Sequence, residues 1–159
     1  MLLKCIENGI AVYSAHTSLD SVLGGVNDVL AEKLGLEKTV SLVKNDANCG
    51  ALGRVGYLPH KMEFEKFAQV VKEALGLSFV TGISAGKTVY KVALCGGAGI
   101  DFIAEALEQG ADTYVTGDIK YHEAQNAVFS GLNLIDATHQ GTELSLIHIS
   151  EPTRRVVIS

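Results

Sequence analysis

The stretch KVALCGGAGIDFIAEALEQGADTYVT, residues 91–116, decides the fold of this sequence. It begins with a short apolar run and turns at a cluster of glycines. It continues as an amphipathic segment from about Asp101 to Gln109 and ends in the β-rich run TYVT. This order predicts a strand, a helix and a second strand. A further helix from Ile119 to Phe129 and the strand LNLID repeat the pattern, so we predict an α/β fold with a largely parallel or mixed sheet.

The alternation of helices and strands also extends upstream. Apolar residues recur at helical spacing over residues 26–34 and 64–75, and each segment is followed by a glycine. The predicted strands are GIAVYSA (Gly9 to Ala15), TVSLV (Thr39 to Val43), SFVTGI (78–83) and TVYKVALC (88–95), the last two forming a candidate hairpin. NDANCGALGRVGYLPH, residues 45–60, is rich in turn formers and is predicted as a loop with short apolar pieces.

Composition excludes several classes of protein. The chain has 159 residues with 47% hydrophobic and 19% charged residues, which is ample material for a folded core. Its net charge of −5 speaks against nucleic-acid binding. No apolar run approaches the roughly 20 residues that span a bilayer, so no membrane segment is expected. Three widely spaced cysteines without a CxxC pair favour a reducing compartment, so we expect a cytoplasmic protein.

The carboxyl-terminal stretch differs from the rest. LSLIHISEPTR, Leu144 to Arg154, resembles the read-through translation of a sequencing adapter. Residues 144–159 are therefore predicted to be a non-native tail and are set apart from the fold. The alternative is a genuine helix that continues from Glu143 and breaks at Pro152.

Two segments carry candidate metal ligands. In DATHQGTE, His139 and Glu143 are four residues apart and would share one helix face, where they can bind one divalent cation. The mixed ligands do not choose between Zn²⁺, Mn²⁺, Fe²⁺ and Co²⁺. In AHTSLD, His16 and Asp20 follow a predicted strand and would face the same crevice. The simpler readings are a solvated polar pair on the helix and a helix cap in the upstream segment.

Two further segments lie at predicted strand ends. Gly96, Gly97 and Gly99 of CGGAG can present backbone amides to a phosphate, or can form only a tight turn. In TGDIKYHEA, Asp118 is predicted to cap the following helix, and His122 is either an acid–base group or an exposed helix residue. The neighbouring cysteine of CGGAG is predicted to lie in the core.

Six ordered motifs between Leu3 and Glu143 resemble one known family. They are GIAVYSAHTSLD, GGVND, GALGRVGYL, VALCGGAG, GADTYVTGDIKYHEA and LIDATHQGTE. In these motifs the sequence resembles the Nif-three-like dinuclear-metal proteins, called GTP cyclohydrolase 1 type 2 homologues in bacteria. The resemblance implies a cytoplasmic, toroidal homohexamer in which each protomer has two related α/β lobes around a pair of divalent metal ions.

The resemblance also implies roles for particular residues. Asp20, His139 and Glu143 match three of the family's metal ligands, whereas its amino-terminal His-His pair has no counterpart here. Thr138 replaces a glycine of the family motif, which is expected to change the turn but not the ligand. We therefore expect an internal fragment truncated at both ends, with a metal-binding domain over residues 1–143. Such a fragment should bind metal weakly, because three donors serve two cations, and it is expected to fold poorly.

Two classes of function are compatible with these features. The first is a metal-dependent hydrolase that acts on a small nucleotide-like or phosphate-bearing substrate, with His16 or His122 moving protons. The resemblance suggests opening of the purine ring of GTP. The second is a non-catalytic regulatory or scaffold protein in which the metal site is structural.

Overall fold

The computed structural model describes residues 2–11, 20–43 and 52–143. Within these ranges the helices are α1 (Leu2–Glu7), α2 (Val26–Lys33), α3 (Phe64–Ala74), α4 (Ile103–Glu108) and α5 (Tyr121–Phe129), with a 3₁₀ turn at Ile100–Phe102. The strands are β1 (Glu37–Val43), β2 (Leu52–Met62), β3 (Thr81–Ile83), β4 (Val89–Leu94), β5 (Thr113–Thr116) and β6 (Asn133–Asp136). A short helical segment covers residues 139–143.

The described strands form one six-stranded mixed sheet in the order β1-β2-β4-β5-β6-β3. The central strands β4, β5 and β6 are parallel, and helices α4 and α5 connect them. Strands β1 and β2 extend the sheet on one side and β3 on the other, all by antiparallel pairing. The predicted α/β class with a mixed sheet is confirmed, and the parallel strands direct their carboxyl ends to one edge.

Both faces of the sheet are covered by helices. Side chains alternate between faces along a strand, so Val92 and Leu94 of β4 lie in one apolar cluster, whereas Ala93 lies in the other. The first cluster includes buried residues of α2 and α3, and the second includes those of α4 and α5. This three-layer arrangement buries Phe67 and Tyr114 completely, on opposite faces.

The predicted loop over residues 45–60 was wrong where the structure describes it. Residues Leu52–Met62 form the longest described strand. Its glycines mark close approaches of neighbouring strands, since a Cβ at Gly56 would lie 2.9 Å from Cγ2 of Thr39. Pro59 is tolerated because the pairing with β4 is irregular between Tyr57 and Met62.

The candidate hairpin between the two runs around residues 78–95 was also wrong. Both runs contain strands, but β3 pairs with β6 at the far edge of the sheet instead of with β4. The predicted helices over residues 26–34 and 64–75 are confirmed as α2 and α3. Among the described residues, no helix has the length and apolar character needed to cross a bilayer. The predicted strand from Gly9 to Ala15 and the tail over residues 144–159 lie wholly or mainly outside the described ranges.

Candidate metal site at the carboxyl edge of the sheet

A cavity of about 250 Å³ lies at the carboxyl end of β4. Three parts of the chain form most of its walls: the segment before α2, the glycine turn after β4 with the 3₁₀ turn that follows it, and the helical segment after β6. Leu52, at the start of β2, completes the lining. The lining residues are Asp20, Leu52, Cys95, Gly96, Gly97, Ala98, Gly99, Phe102, His139 and Glu143. The fold therefore brings all three predicted metal ligands to the same cavity.

His139 lies between two carboxylates. Its Nε2 atom is 3.0 Å from Oε1 of Glu143, one helical turn later, as the spacing predicted. Its Nδ1 atom is 2.7 Å from Oδ2 of Asp118, which follows β5. The hydrogen bond with Asp118 is the main reason that the pKa of His139 is raised above its ordinary value, although partial desolvation lowers it.

Asp118 does not cap α5, contrary to the sequence prediction. The main-chain N–H of Lys120, where α5 begins, donates to the side chain of Glu123, and that of Ile119 donates to Asp136. Asp118 adopts the left-handed conformation with φ of +58°, and its carboxylate contacts His139. Asp118 is the site residue that sequence reasoning misassigned. Its position directly after TYVTG, at a strand end, was the available signal.

The turn before His139 keeps a backbone conformation typical of glycine. Thr138 has a φ of +61°, which β-branched residues rarely adopt. Its hydroxyl accepts a hydrogen bond from the N–H of Gly141 at 3.0 Å and so caps the helical segment that carries His139 and Glu143. The backbone therefore makes the left-handed turn with threonine at the position where the resemblance implies a glycine, and the imidazole lines the cavity.

The predicted use of Gly96, Gly97 and Gly99 as phosphate donors is not supported. The N–H of Gly96 donates to Oδ1 of Asn27, and that of Gly97 donates to Oγ1 of Thr142, both at 2.9 Å. The N–H of Gly99 donates to Oγ1 of Thr116 at 2.9 Å. These hydrogen bonds hold the turn in place. Glycine is needed there because the neighbouring segments pack closely against the turn and because Gly97 has a positive φ.

The other candidates have different positions. His122 lies exposed on α5, where its ring and that of Tyr121 pack edge to face, and it does not line the cavity. His16 lies outside the described residues. Cys95 is buried, as predicted, and burial raises the pKa of its thiol to about 12, with the charge of Asp20 adding to this effect. The thiol of Cys95 is therefore protonated at neutral pH in this structure.

The cavity suits a divalent cation by its donors and its shape. Carboxylate oxygens and an imidazole nitrogen are common ligands of divalent transition metals. A Cβ at Gly97 would lie 3.0 Å from Oε1 of Glu143 and 3.5 Å from Nε2 of His139, so this glycine leaves room beside both donors. In the ranges that the structure describes, no three His, Cys, Asp or Glu side chains are already grouped as a coordination shell. The donors therefore suit a cation by their chemistry and line one cavity, and Nε2 of His139 is engaged by Glu143 in this structure.

The protein is an α/β protein with a mixed sheet. Acidic side chains and an imidazole lie at the carboxyl ends of its parallel strands. Within that class, the chain belongs to the Duf34/NIF3 (NGG1p interacting factor 3) family, whose sequence profile matches residues 1–151. The matched range includes part of the tail set apart above, residues 144–151.

Proteins similar to this chain include two bacterial GTP cyclohydrolase 1 type 2 homologs. The protein from Streptococcus pneumoniae is 38% identical over 139 residues, which is 84% of this chain and 52% of the relative. That from Clostridium perfringens is 35% identical over 156 residues, 96% of this chain and 60% of the relative. The chain thus spans little more than half the length of these curated relatives.

Solved structures support the same fold. The Bacillus cereus protein related to NIF3 aligns with a TM-score of 0.75 at 26% identity, covering 94% of this chain and 71% of that one. Reduced HcgD from Methanocaldococcus jannaschii aligns with a TM-score of 0.79 at 33% identity, covering 96% of this chain and 61% of that one. The described sheet and helices therefore follow an architecture that this family shares.

Proposed function

We propose that this chain binds a divalent metal ion through Asp20, His139 and Glu143. The observation that carries the proposal is that Asp20, far upstream in the chain, lines the same cavity as the other two. Two carboxylates and one imidazole supply oxygen and nitrogen donors to Zn²⁺, Mn²⁺, Fe²⁺ or Co²⁺. The resemblance to dinuclear proteins supports two ions in a full-length relative. With three donors, we expect this chain to hold its metal weakly.

The surrounding residues orient these donors. Asp118 engages Nδ1 of His139, which leaves Nε2 directed at the cavity and fixes the ring. Thr138 caps the segment so that His139 and Glu143 stay on one face. Metal binding then requires Nε2 to exchange its contact with Glu143 for the cation.

We further propose that the whole protein is a metal-dependent hydrolase of a nucleotide-like or phosphate-bearing substrate. The names of the curated relatives, GTP cyclohydrolase 1 type 2 homologs, support this class. A divalent ion held in this cavity would acidify a bound water and polarise a substrate oxygen. Asp20, His139 and Glu143 hold that ion, and the assembly around them is proposed to be a homohexamer, which light scattering after gel filtration tests.

A second candidate is a non-catalytic metal-binding protein with a regulatory or scaffold role. One observation favours it: among the described residues, His122 lies away from the cavity and the amides of Gly96, Gly97 and Gly99 are engaged within the fold. The described part of the site therefore supplies metal donors without a separate acid–base histidine.

Isothermal titration with Zn²⁺ and with Mn²⁺ tests the metal site. The unchanged chain is compared with Asp20→Asn, His139→Ala and Glu143→Gln, and with His122→Ala as an exposed-histidine control. We expect each of the first three changes to weaken binding by at least tenfold and the control to bind normally. Equal binding by all variants would remove the proposal.

Water-proton relaxation of the Mn²⁺-loaded protein separates the two functional classes. A catalytic ion keeps exchangeable water, whereas a structural ion is fully coordinated by protein. We expect enhanced relaxation together with formate release from GTP for a hydrolase. Enhanced relaxation with unchanged GTP would leave a different substrate of the same class, and no enhancement would favour the regulatory role.

A further inference from the structure

The motif GGVND contributes a fully buried side chain that the proposed metal site does not use as a ligand. Asn27 is 0% exposed, although it is a polar residue at the start of α2. A buried amide needs partners for its oxygen and its nitrogen, because unpaired polar groups are costly away from water. The two hydrogen-bond partners of Asn27 therefore indicate its structural role.

Asn27 connects two walls of the cavity. Its Nδ2 atom donates to the main-chain carbonyl of Asp20 at 2.8 Å. Its Oδ1 atom accepts the N–H of Gly96 at 2.9 Å. One side chain thus ties the segment of the upstream carboxylate to the glycine turn after β4.

Thr142 connects the same turn to the third wall. Its Oγ1 accepts the N–H of Gly97 at 2.9 Å and lies 2.9 Å from the main-chain carbonyl of His139. Thr142 is also 0% exposed, and it lies between His139 and Glu143 in the chain. The adjacent amides of Gly96 and Gly97 are therefore shared between the Asp20 wall and the His139–Glu143 wall.

We propose that Asn27 and Thr142 are positioning residues that set the separation between Asp20 and the His139–Glu143 pair through the turn at Gly96 and Gly97. This inference rests on the proposed metal site. It adds which contacts hold the segments that carry Asp20, His139 and Glu143 at a fixed distance from one another. Neither side chain lines the cavity. Each acts by fixing the main chain that carries a donor, and such supporting contacts change metal affinity by about 10- to 100-fold when removed.

The neighbouring ion pair supports this role. Asp28 accepts hydrogen bonds from Nε and Nη2 of Arg54, a side chain that is 4% exposed on β2. The pair anchors the beginning of α2 to the sheet, so Asn27 is presented to the turn from a fixed helix. The motifs GGVND and GALGRVGYL thus meet through Asp28 and Arg54.

The test measures Zn²⁺ affinity by titration calorimetry, with stability measured separately by urea unfolding. Asn27→Ala is compared with Asn133→Ala, which also removes a fully buried amide that bridges main-chain groups, but on β6 beside the turn at Lys87. Thr142→Val keeps the side-chain shape and is compared with Thr113→Val, another fully buried threonine on β5. If Asn27→Ala does not fold, the comparison of Thr142→Val with Thr113→Val still tests the positioning role.

We expect Asn27→Ala and Thr142→Val to weaken Zn²⁺ binding by at least tenfold, and the two control variants to bind like the unchanged chain at comparable losses of stability. Equal weakening in the controls would mean a global effect and would overturn the positioning role. If His139→Ala abolishes binding while Asn27→Ala and Thr142→Val bind normally, the positioning role is wrong and the metal site stands. If His139→Ala also binds normally, the metal site itself is wrong.

Discussion

The carboxylate of Asp118 lies 2.7 Å from Nδ1 of His139, although 21 positions separate the two residues. The contact joins the end of β5 to the segment after β6, because parallel neighbours deliver both residues to one edge of the sheet. A carboxylate on the far nitrogen of a metal-binding imidazole orients the ring and raises its basicity.

Replacing Asp118 by Asn should therefore weaken metal binding without removing a ligand. The amide keeps the shape but loses the charge, so we expect Zn²⁺ affinity to fall by about tenfold or more. Calorimetric titration measures the change. Glu123→Gln is the control. It alters the exposed hydrogen bond between the Glu123 side chain and the N–H of Lys120 at the start of α5, and it should leave the affinity unchanged.

Gly117 is predicted to tolerate no side chain. A Cβ at this position would lie 2.6 Å from the main-chain N of His139, so Gly117→Ala must displace the segment that carries the imidazole. We expect a loss of about 1 to 3 kcal/mol in the free energy of unfolding, together with weaker metal binding. Gly82→Ala first meets the end of a side chain, Cζ of Phe64 at 2.8 Å, which can move more easily than main chain. This variant should therefore lose less stability and keep its metal affinity.

The left-handed conformation of Thr138 predicts an order of stability among substitutions. A β-branched residue there is strained by about 1 to 2 kcal/mol, whereas Asn tolerates this conformation and keeps a capping oxygen. Thr138→Asn should therefore stabilise the protein by about 1 kcal/mol. Thr138→Ala keeps the strain and loses the cap, so it should cost about 1 kcal/mol. Urea unfolding measures both, and equal stability of the two variants would contradict the capping and strain argument.

The Asp28–Arg54 pair predicts a pH-dependent contribution to stability. The hydrogen bond from Arg54 is the main reason that the pKa of Asp28 lies below its ordinary value of 3.8. The stabilisation is therefore fully present above pH 3.8 and is lost as the pH falls through the lowered folded-state pKa. Asp28→Asn leaves a buried guanidinium without its charged partner. Because the Asp28 side chain is itself 27% exposed, we expect a cost of about 1.5 to 3 kcal/mol at pH 7.

Unfolding of both proteins in urea between pH 7 and pH 3 checks this prediction. The difference between the unchanged chain and Asp28→Asn should be constant down to about pH 5 and shrink below pH 4. A difference that stays constant down to pH 3 would show that Asp28 acts through packing alone.

Cys95 is predicted to react slowly with thiol reagents. Burial raises its pKa to about 12, and the thiolate is the reactive form, so alkylation at pH 8 requires the chain to open. Mass spectrometry of iodoacetamide-treated protein should find Cys95 unmodified in the folded state and modified in guanidinium chloride. Cys5, which is only half-buried on α1, serves as the internal comparison.

The amino-acid sequence by itself determined the α/β class, helices α2 and α3, and the shared face of His139 and Glu143. These features depend on local periodicity, which contacts far along the chain do not alter. The six ordered motifs carried the family resemblance, and that resemblance implied a shared metal-binding role for Asp20, His139 and Glu143.

Only the tertiary structure decided how these pieces meet. The glycines of β2 predict a loop because they signal turns locally, whereas in the sheet Gly56 accommodates a close neighbour, Thr39. β3 leaves its sequence neighbour β4 and pairs with β6, a choice between distant partners that local pattern does not encode. Asp118, Asn27 and Thr142 acquire their roles in the same way. Their partners lie on other elements, and side-chain hydrogen bonds form only where the fold brings donor and acceptor within about 3 Å.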